Sequence, residues 1–598
     1  MARLDSPACQ TAMDIPPGLV YLTRALPLAM LPCAVAYTFL TRILPLLEIG
    51  TLPLWSRVLV ALVSQPAGSA LIHLYHEYRE AKDATSRGAA MIPVVQDWPG
   101  GLNLISKIRE SFKTGYPGDF LQDWCDQYGN TIMTKILFIR EITTLEPEHV
   151  KAILATEFDN YWKGPNDFRL GRSLLGFGVF NTDDEMWKFH RSLSRPFFSR
   201  ERISDFEIFD RHAHEALART KKRLAEGYPI DFQDMVSRFT LDSASDFLFR
   251  RTVDSMSAGL PYPQSSPLAN SPSFFNHPSN TFVRSFVQSQ ILTTERVPFN
   301  TKWPLMEFWK DKVKPHRKII DEHIEPILNE ELEKKAKRRA DGKREEGEET
   351  FLSHLVEATD NKEVIRDAIF NIIIAGRDTT AATLTFGVYM LAEHPEIVER
   401  LRNEILSIVG NSKMPTYDDL RSMKYLRAFI NEILRLYPPV PFDTRNSKNA
   451  TTWPPLKPGD KPLYVTPNTR CRYSVFLMHR RTDLWGPDAL KFDPDRFLDE
   501  RVRKYLTPNP FIFLPFNAGP RICLGQQFAY NEASFFLVRL LQNFCAFSLA
   551  PDAQPEKPLA SWKECKGTKA TEKIMLGLSL TMYAKGGLWV RMAEATVE

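Results

Sequence analysis

The sequence predicts a mainly α-helical protein with small β-sheets, preceded by an N-terminal membrane-anchoring region. Three observations carry that prediction. Long stretches with apolar residues every three to four positions dominate the chain. Short β-branched or aromatic segments bounded by turn residues occur at only a few places. Two leucine-rich runs stand close together near the N-terminus, ahead of everything else.

The first of these runs covers 26–40, between Arg24 and Arg42, and the second covers 58–75. Each is near the lower limit of about 17 residues for a bilayer-spanning helix. They fit two spans, or one span with the second run at the interface. Neither ends in a small-residue cleavage site, which argues against a removed signal peptide. Residues 1–80 are therefore read as the anchor. Residues 81–101 are polar and carry Met91-Ile92-Pro93 and Trp98-Pro99-Gly100-Gly101, so they read as a hinge. From 102 to 598 no internal repeat or second hinge interrupts the chain, and one large domain is the simplest account.

Within that domain the helical pattern runs over 201–225, 232–249, 313–335, 364–392, 417–437 and 526–544. Strand-like segments lie near 131–139, 462–465 and 578–590. The stretch 255–280 is rich in Ser, Pro and Asn and reads as a surface loop. The stretch 330–349 is a dense run of Lys, Arg and Glu and reads as a solvated helical extension.

Composition excludes several classes. A net charge of +4 over 598 residues gives no nucleic-acid footprint. Seven cysteines without a Cys-x-x-Cys pair argue against structural zinc and a disulfide framework, and for a reducing compartment. No glycine-rich dinucleotide or phosphate loop is present, so any electrons must come from another protein.

The most specific segment is Phe516-Asn517-Ala518-Gly519-Pro520-Arg521-Ile522-Cys523-Leu524-Gly525. It fixes five residue types at five spacings, a coincidence expected on the order of once in thousands of sequences. The bland alternative is a free cysteine in a glycine-rich turn. The helix that follows would aim its N-terminal dipole at Cys523 and stabilise a thiolate. Such a thiolate can hold a haem iron and favours O–O cleavage. Arg521 can reach a haem propionate, and Phe516 can pack beneath the sulfur. Gly519 and Gly525 would let the backbone approach the porphyrin and turn into the helix.

Other motifs precede it. Gly376, Asp378, Thr379 and Thr380 interrupt an apolar helix, where a glycine, an acid and two hydroxyls cost helix stability. Glu432 and Arg435 stand one turn apart, followed later by Phe492-Asp493-Pro494-Asp495-Arg496-Phe497. Trp187 and Arg191 are also one turn apart and can reach one propionate together, with Arg445 a further candidate. Lys188, Arg195, Arg480 and Arg481 form a candidate basic patch for an acidic reductase, or else a solvated face. A glycosylation sequon stands at Asn449.

These motifs, in this order, resemble the cytochrome P450 family over about 102–598. The resemblance implies a cytochrome P450 fold and haem b (iron protoporphyrin IX) with Cys523 as the axial metal ligand. It makes Trp187, Arg191, Arg445, Phe516, Arg521 and Gly525 haem-binding residues. It gives Asp378 and Thr379 the catalytic role of an acid–alcohol pair relaying protons during oxygen activation, beside space for O2 at Gly376. Glu432, Arg435 and Arg496 would form a buried structural triad. The implied partners are NADPH–cytochrome P450 reductase, with cytochrome b5 as a second electron donor, a lipid membrane and a small apolar substrate. The implied location is the endoplasmic reticulum membrane, with the catalytic domain facing the cytosol.

Finer features, among them Arg435-Leu436-Tyr437-Pro438-Pro439 and Gly525-Gln526-Gln527-Phe528-Ala529, resemble the fungal branch that hydroxylates alkanes and fatty acids. The longer N-terminus and the two polar insertions depart from its yeast members. Segments 174–180, 374–379, 440–444 and 582–588 would line an apolar pocket that includes Phe177, Phe180 and Phe442. Two other classes would use the same cysteine loop: a haem-thiolate isomerase or peroxygenase, and a non-catalytic haem sensor or carrier. Asp378 and Thr379 speak against the first, and the membrane anchor against the second.

Overall fold

The computed structural model describes residues 15–47, 52–96, 101–113, 115–136, 139–203, 206–269, 271–341, 350–565 and 567–595. Its body is mainly helical, with small sheets at the edges. A helix over Lys362–Glu393 runs through the centre and packs against Phe232–Phe249 on one side and Gln526–Asn543 on another. The interface is apolar and aromatic: Leu384, Phe386, Phe239, Phe535 and Phe536 are all fully buried. Burying each such side chain contributes roughly 1.5–3 kcal/mol relative to exposure.

Five strands form the largest sheet, in the order Thr131–Ile136, Ile139–Thr144, Arg470–Ser474, Phe442–Ser447, Tyr161–Trp162. The segment expected as one strand near 131–139 is the first arm of an antiparallel hairpin pairing Thr131 with Thr144. Two expected helices are each broken. The 201–225 stretch divides into Arg200–Ile203 and Glu207–Ala225, and 417–437 into Tyr417–Ser422 and Lys424–Leu436. At the second break Thr416 closes a capping box with Asp419, so the short helix is locally complete and ends at Met423. Periodicity alone does not register such a break.

The 255–280 stretch is better tied than a surface loop. Asp242 accepts from Ser255 N at 2.9 Å, Ser255 Oγ at 3.0 Å and Met256 N at 3.2 Å. The charged stretch is helical as far as Asp341 in Lys314–Asp341; its remainder lies outside the described residues.

The N-terminal region is a pair of helices, Pro17–Thr38 and Leu54–Ser86, packed against each other. The helical stretches Pro17–Leu46 and Leu54–Ser86 are both long and apolar enough to cross a membrane, and their apolar windows are exposed. Together they suggest a membrane-anchored protein. The second helix does not lead into a free hinge. Glu77 pairs with Lys135 at 2.6 Å, Glu80 with Arg140, and Asp83 accepts from Tyr464 OH at 2.7 Å. Just beyond, Ala90–Met91 pairs in parallel with Leu463–Val465, and Ile92 and Val95 are buried. The part of the expected hinge that is described is thus built into the body by strand pairing; Trp98, Pro99 and Gly100 lie outside the described residues.

Candidate active site

The cysteine loop is held on three sides. Cys523 N donates to Phe516 O at 3.0 Å, closing the loop on itself. The Phe516 ring packs against Tyr530 of the following helix, with centroids 5.1 Å apart. Arg191 Nη1 donates to Ile522 O at 2.9 Å, bringing the Trp187 helix onto the loop. Cys523 itself is exposed. Desolvation by the walls raises its thiol pKa, while the Gly525 N–H and the Arg191 charge act to lower it.

The two glycines of the loop differ in kind. Gly519 has φ +66°, and an added Cβ would overlap the Leu154 carbonyl oxygen, so the position requires glycine. Gly525 has φ −83° at the N-cap, and an added Cβ would meet Phe198 at an ordinary 3.5 Å. The protein alone does not demand a glycine there. Gly376 likewise has a packing role: a Cβ would approach Ala244 of the neighbouring helix at 3.2 Å.

Around the loop lies a buried network of charge. Arg521 Nη2 donates to Asp183 Oδ1 at 2.6 Å and its guanidinium stands 4.6 Å from the Trp187 ring. Asp443 accepts from Arg445 at 2.9 Å, Lys163 at 2.8 Å and Asn517 at 3.1 Å. Burial would raise the Asp443 carboxyl, but Arg445 and Lys163 hold it well below the usual carboxylate range. Desolvation, then Arg445, pulls Arg521 down to about 10. Its Nε is buried without a hydrogen-bond partner among the described residues. Lys163, Arg191, Arg445 and Arg521 thus line the loop together with Asp183 and Asp443. Guanidinium groups of this kind suit the propionates of a haem. The thiol and the unpaired Nε fit that cofactor. Sequence reasoning named Trp187, Arg191, Arg445 and Arg521 but missed Lys163, Asp183 and Asp443. Asp183 immediately precedes the Trp187 helix and Asp443 stands two residues before Arg445, so both were findable as acids flanking named cations.

The loop is braced from behind. Glu432 receives Arg435 at 2.7 Å through each oxygen, Asp493 N at 2.9 Å and Arg496 at 3.5 Å. His479 joins this triad to the loop: its Nε2 accepts from Leu514 N at 3.0 Å, so the neutral ring donates through Nδ1 to Arg435 O at 3.1 Å. Desolvation and Arg435 push its pKa down to about 3, keeping it neutral.

On the central helix, Asp378 and Thr379 are occupied separately. Asp378 Oδ2 accepts from Gln290 Nε2 at 2.8 Å and Oδ1 from Arg377, whereas Thr379 Oγ1 donates to Ala375 O at 2.7 Å. The acid and the alcohol stand side by side in sequence without a direct bond between them. Two of the expected pocket segments are anchored through residues just outside the others, and Phe180 is exposed. Phe177 N donates to Asp367 and Phe180 N to Asn371, tying 174–180 to the central helix, and Met582 N donates to Pro439 O. Phe177 stacks under the Arg172 guanidinium at 4.0 Å.

The candidate basic patch does not form. Arg480 is buried over Phe476 at 3.6 Å, and Arg481 is held by Glu146 and Asp483. Lys188 is paired with Glu185, and Arg195 is exposed. Asn449 is exposed beside Asn160.

The sequence profile of the family described as Cytochrome P450 matches residues 99–576. A cytochrome P450 monooxygenase, pvhE, of Talaromyces variabilis is 35% identical over 69% of this chain and 76% of its own length. Cytochrome P450 52A3-A of Candida maltosa is 36% identical over 74% and 82%, and cytochrome P450 monooxygenase himC of Aspergillus japonicus 32% over 88% of each. With this match, and with a cysteine loop at a helix N-terminus inside a cationic cradle, the chain belongs to the cytochrome P450 family of monooxygenases.

Proposed function

We propose that this protein hydroxylates unactivated C–H bonds of long apolar molecules, alkanes or fatty acids, at a membrane surface. In this reading Cys523 ligates haem b, and electrons come from NADPH through a separate flavoprotein reductase, the membrane being that of the endoplasmic reticulum and the body cytosolic. The single observation that carries it is the exposed Cys523 just before a helix, with Arg191 donating to its loop and Arg521 Nε buried beside it without a partner among the described residues. Bound in this way, haem supplies the activation of dioxygen and the transfer of one oxygen atom to substrate.

The chain's own residues do the rest. Arg445 and Arg521 bind and orient the propionates through forked guanidinium donors, assisted by Arg191 and Trp187. Gly525 N–H and the helix dipole favour the thiolate form of Cys523. Asp378 and Thr379 hold and pass protons; Thr379 keeps its lone pairs available because its hydrogen is committed to Ala375 O. The exposed apolar helices at the N-terminus would place the body where apolar substrates partition.

The test is product analysis after incubation with NADPH, its reductase, dodecane and dodecanoic acid. Terminal or near-terminal alcohols support the reading. No alcohol from protein with a sound thiolate spectrum would refute the alkane and fatty-acid assignment.

A further inference from the structure

The two N-terminal helices lie level with each other. Each buries only small residues: Gly18 and Cys33 in Pro17–Thr38, Ala61 and Ala84 in Leu54–Ser86. Small side chains let membrane helices approach closely. Gly68 faces Pro32, and an added Cβ there would stand 3.7 Å from the proline. The short connection from Leu46 to Leu54 makes the pair antiparallel. Eight residues from that contact, Arg24 on one helix is level with His76 on the other. Ten residues the opposite way, Arg42 is level with Val58, next to Arg57. Between these polar ends Leu28, Leu31 and Val35 on the first helix and Leu59, Leu62 and Leu71 on the second are exposed. Residues 24–42 rise about 27 Å as a helix, close to the ~30 Å hydrocarbon core of a bilayer.

Both outer ends of the pair are fastened to the body. Gly18 N donates to Phe308 O at 2.9 Å, and an added Cβ at Gly18 would overlap the Phe308 ring, so the first helix starts in close contact. It also packs on the short helix Trp303–Met306. The second helix ends in the contacts of Glu77, Glu80 and Asp83 with Lys135, Arg140 and Tyr464. The connection from Leu46 to Leu54 is left at the remote end. A single span with the second run flat at the interface does not fit. It would part Pro32 from Gly68 and carry Gly18 to the face opposite Phe308. Among the described residues the flanking cations are also uneven: Arg24, Arg79, Lys82 and Arg87 at the body end, Arg42 and Arg57 at the remote end. That bias matches a body facing the cytosol.

We propose that residues 17–86 form a two-span hairpin. Its connection crosses to the far side of the bilayer, and the chain entering Pro17 lies on the same side as the catalytic body. The partner is the lipid bilayer, met by the two apolar faces at one depth. The body is then held at two separate places, Phe308 and the strip from Glu77 to Met91, instead of hanging from one flexible hinge. Those contacts fix its orientation to the membrane. The inference rests on the cytosolic placement of the body proposed above, which the exposed sequon at Asn449 reports separately.

The test expresses the full-length chain in cells that N-glycosylate in the endoplasmic reticulum. Two versions, both carrying Asn449→Gln, each receive one polar insert with a single Asn-Gly-Thr sequon, either ahead of Pro17 or between Leu47 and Leu52. Endoglycosidase should shift the gel mobility of the second version and leave the first unchanged. The wild-type protein should carry no glycan at Asn449. With Asn449 unmodified, any glycan on the first insert, or none on the second, overturns the hairpin. If Asn449 does carry a glycan, the cytosolic placement fails instead, and the hairpin then requires the opposite pair of results. A second measurement needs no insert. In isolated membranes, Gly18→Cys combined with Phe308→Cys should give a linked peptide by mass spectrometry after mild oxidation, since the pair removes the ring that an added Cβ would overlap. Absence of that linked peptide overturns the docking of the first helix on the body, and the topology with it. Should either insert stop the chain from entering the membrane, the cysteine pair decides it.

Discussion

Two fully buried glutamates on neighbouring helices face opposite circumstances. Glu432 is met by Arg435, Arg496 and the Asp493 amide, and each of its oxygens is used. Glu532 meets no cation among the described residues; burial pushes its carboxyl up to about 8, opposed only by the neutral Thr380 hydroxyl. Equal burial thus goes with a brace in one case and, in the other, with a carboxyl whose neutral form is favoured. The difference lies in whether cations are buried with the acid. A paired buried charge fixes geometry, whereas an unpaired one takes up a proton because the charged form is poorly solvated.

Perturbing the cysteine side should have the larger effects. Replacing Cys523 by Ala should abolish the red-shifted Soret band of the reduced carbon monoxide complex, together with all hydroxylation; a retained band would remove Cys523 as the ligand. Next comes the brace. Glu432→Ala leaves Arg435 and Arg496 buried without their anion, and should cost about 3–5 kcal/mol in denaturant unfolding. It should also cost most of the haem content, because His479 ties Arg435 to Leu514 of the loop. If Glu432→Ala proves no more disruptive than Glu532→Gln, the contrast between the two acids is false.

On the oxygen side the effects should be kinetic. Thr379→Ala should divert reducing equivalents, raising hydrogen peroxide per NADPH by about tenfold or more while leaving the melting temperature within a few degrees. Unchanged coupling would sink its relay role.

A gentler measurement compares pH profiles of stability. The folded Glu532 carboxyl sits near 8 against an ordinary 4.5, so the folded state keeps a proton that the unfolded state has released. Its stabilising share is complete below pH 4.5, is lost as pH rises, and levels off above about 8. Between those limits wild-type stability should fall relative to Glu532→Gln, with a slope of at most about 1.4 kcal/mol per pH unit. Parallel profiles would mean that Glu532 ionises normally. The smallest effect on the site should follow removal of residues 1–72, which keeps the Glu77, Glu80 and Asp83 contacts with the body. That protein should leave the membrane fraction with its thiolate spectrum intact; continued membrane binding would show that the body also holds the bilayer.

Some features were legible because they depend on neighbours in sequence. The helix after Cys523, the Glu432–Arg435 pair and the Trp187–Arg191 turn follow from spacings of three or four residues, and the structure realises them as Gln526–Asn543, Lys424–Leu436 and Asp184–Ser194. The apolar helices at the N-terminus were legible from composition alone. Glu532 left a faint trace, an acid midway between Phe528 and Phe536 on an otherwise apolar stripe. Spacing could not say whether a cation stands opposite.

What the sequence by itself determined is the inventory: which helix follows the cysteine, which arginines stand around it, and which acid and alcohol are adjacent in the chain. Only the tertiary structure decided how those groups are paired. It turned Asp378 toward Gln290 rather than Thr379, and buried Arg480 against Phe476 instead of presenting it to a partner. It also wove Ala90–Met91 of the expected hinge into a sheet. Local spacing governs backbone hydrogen bonds and helical faces, which extend over a few residues. Charge pairing and desolvation depend on groups brought together from 88 residues away, as with Gln290 and Asp378, or from 331, as with Arg191 and Ile522.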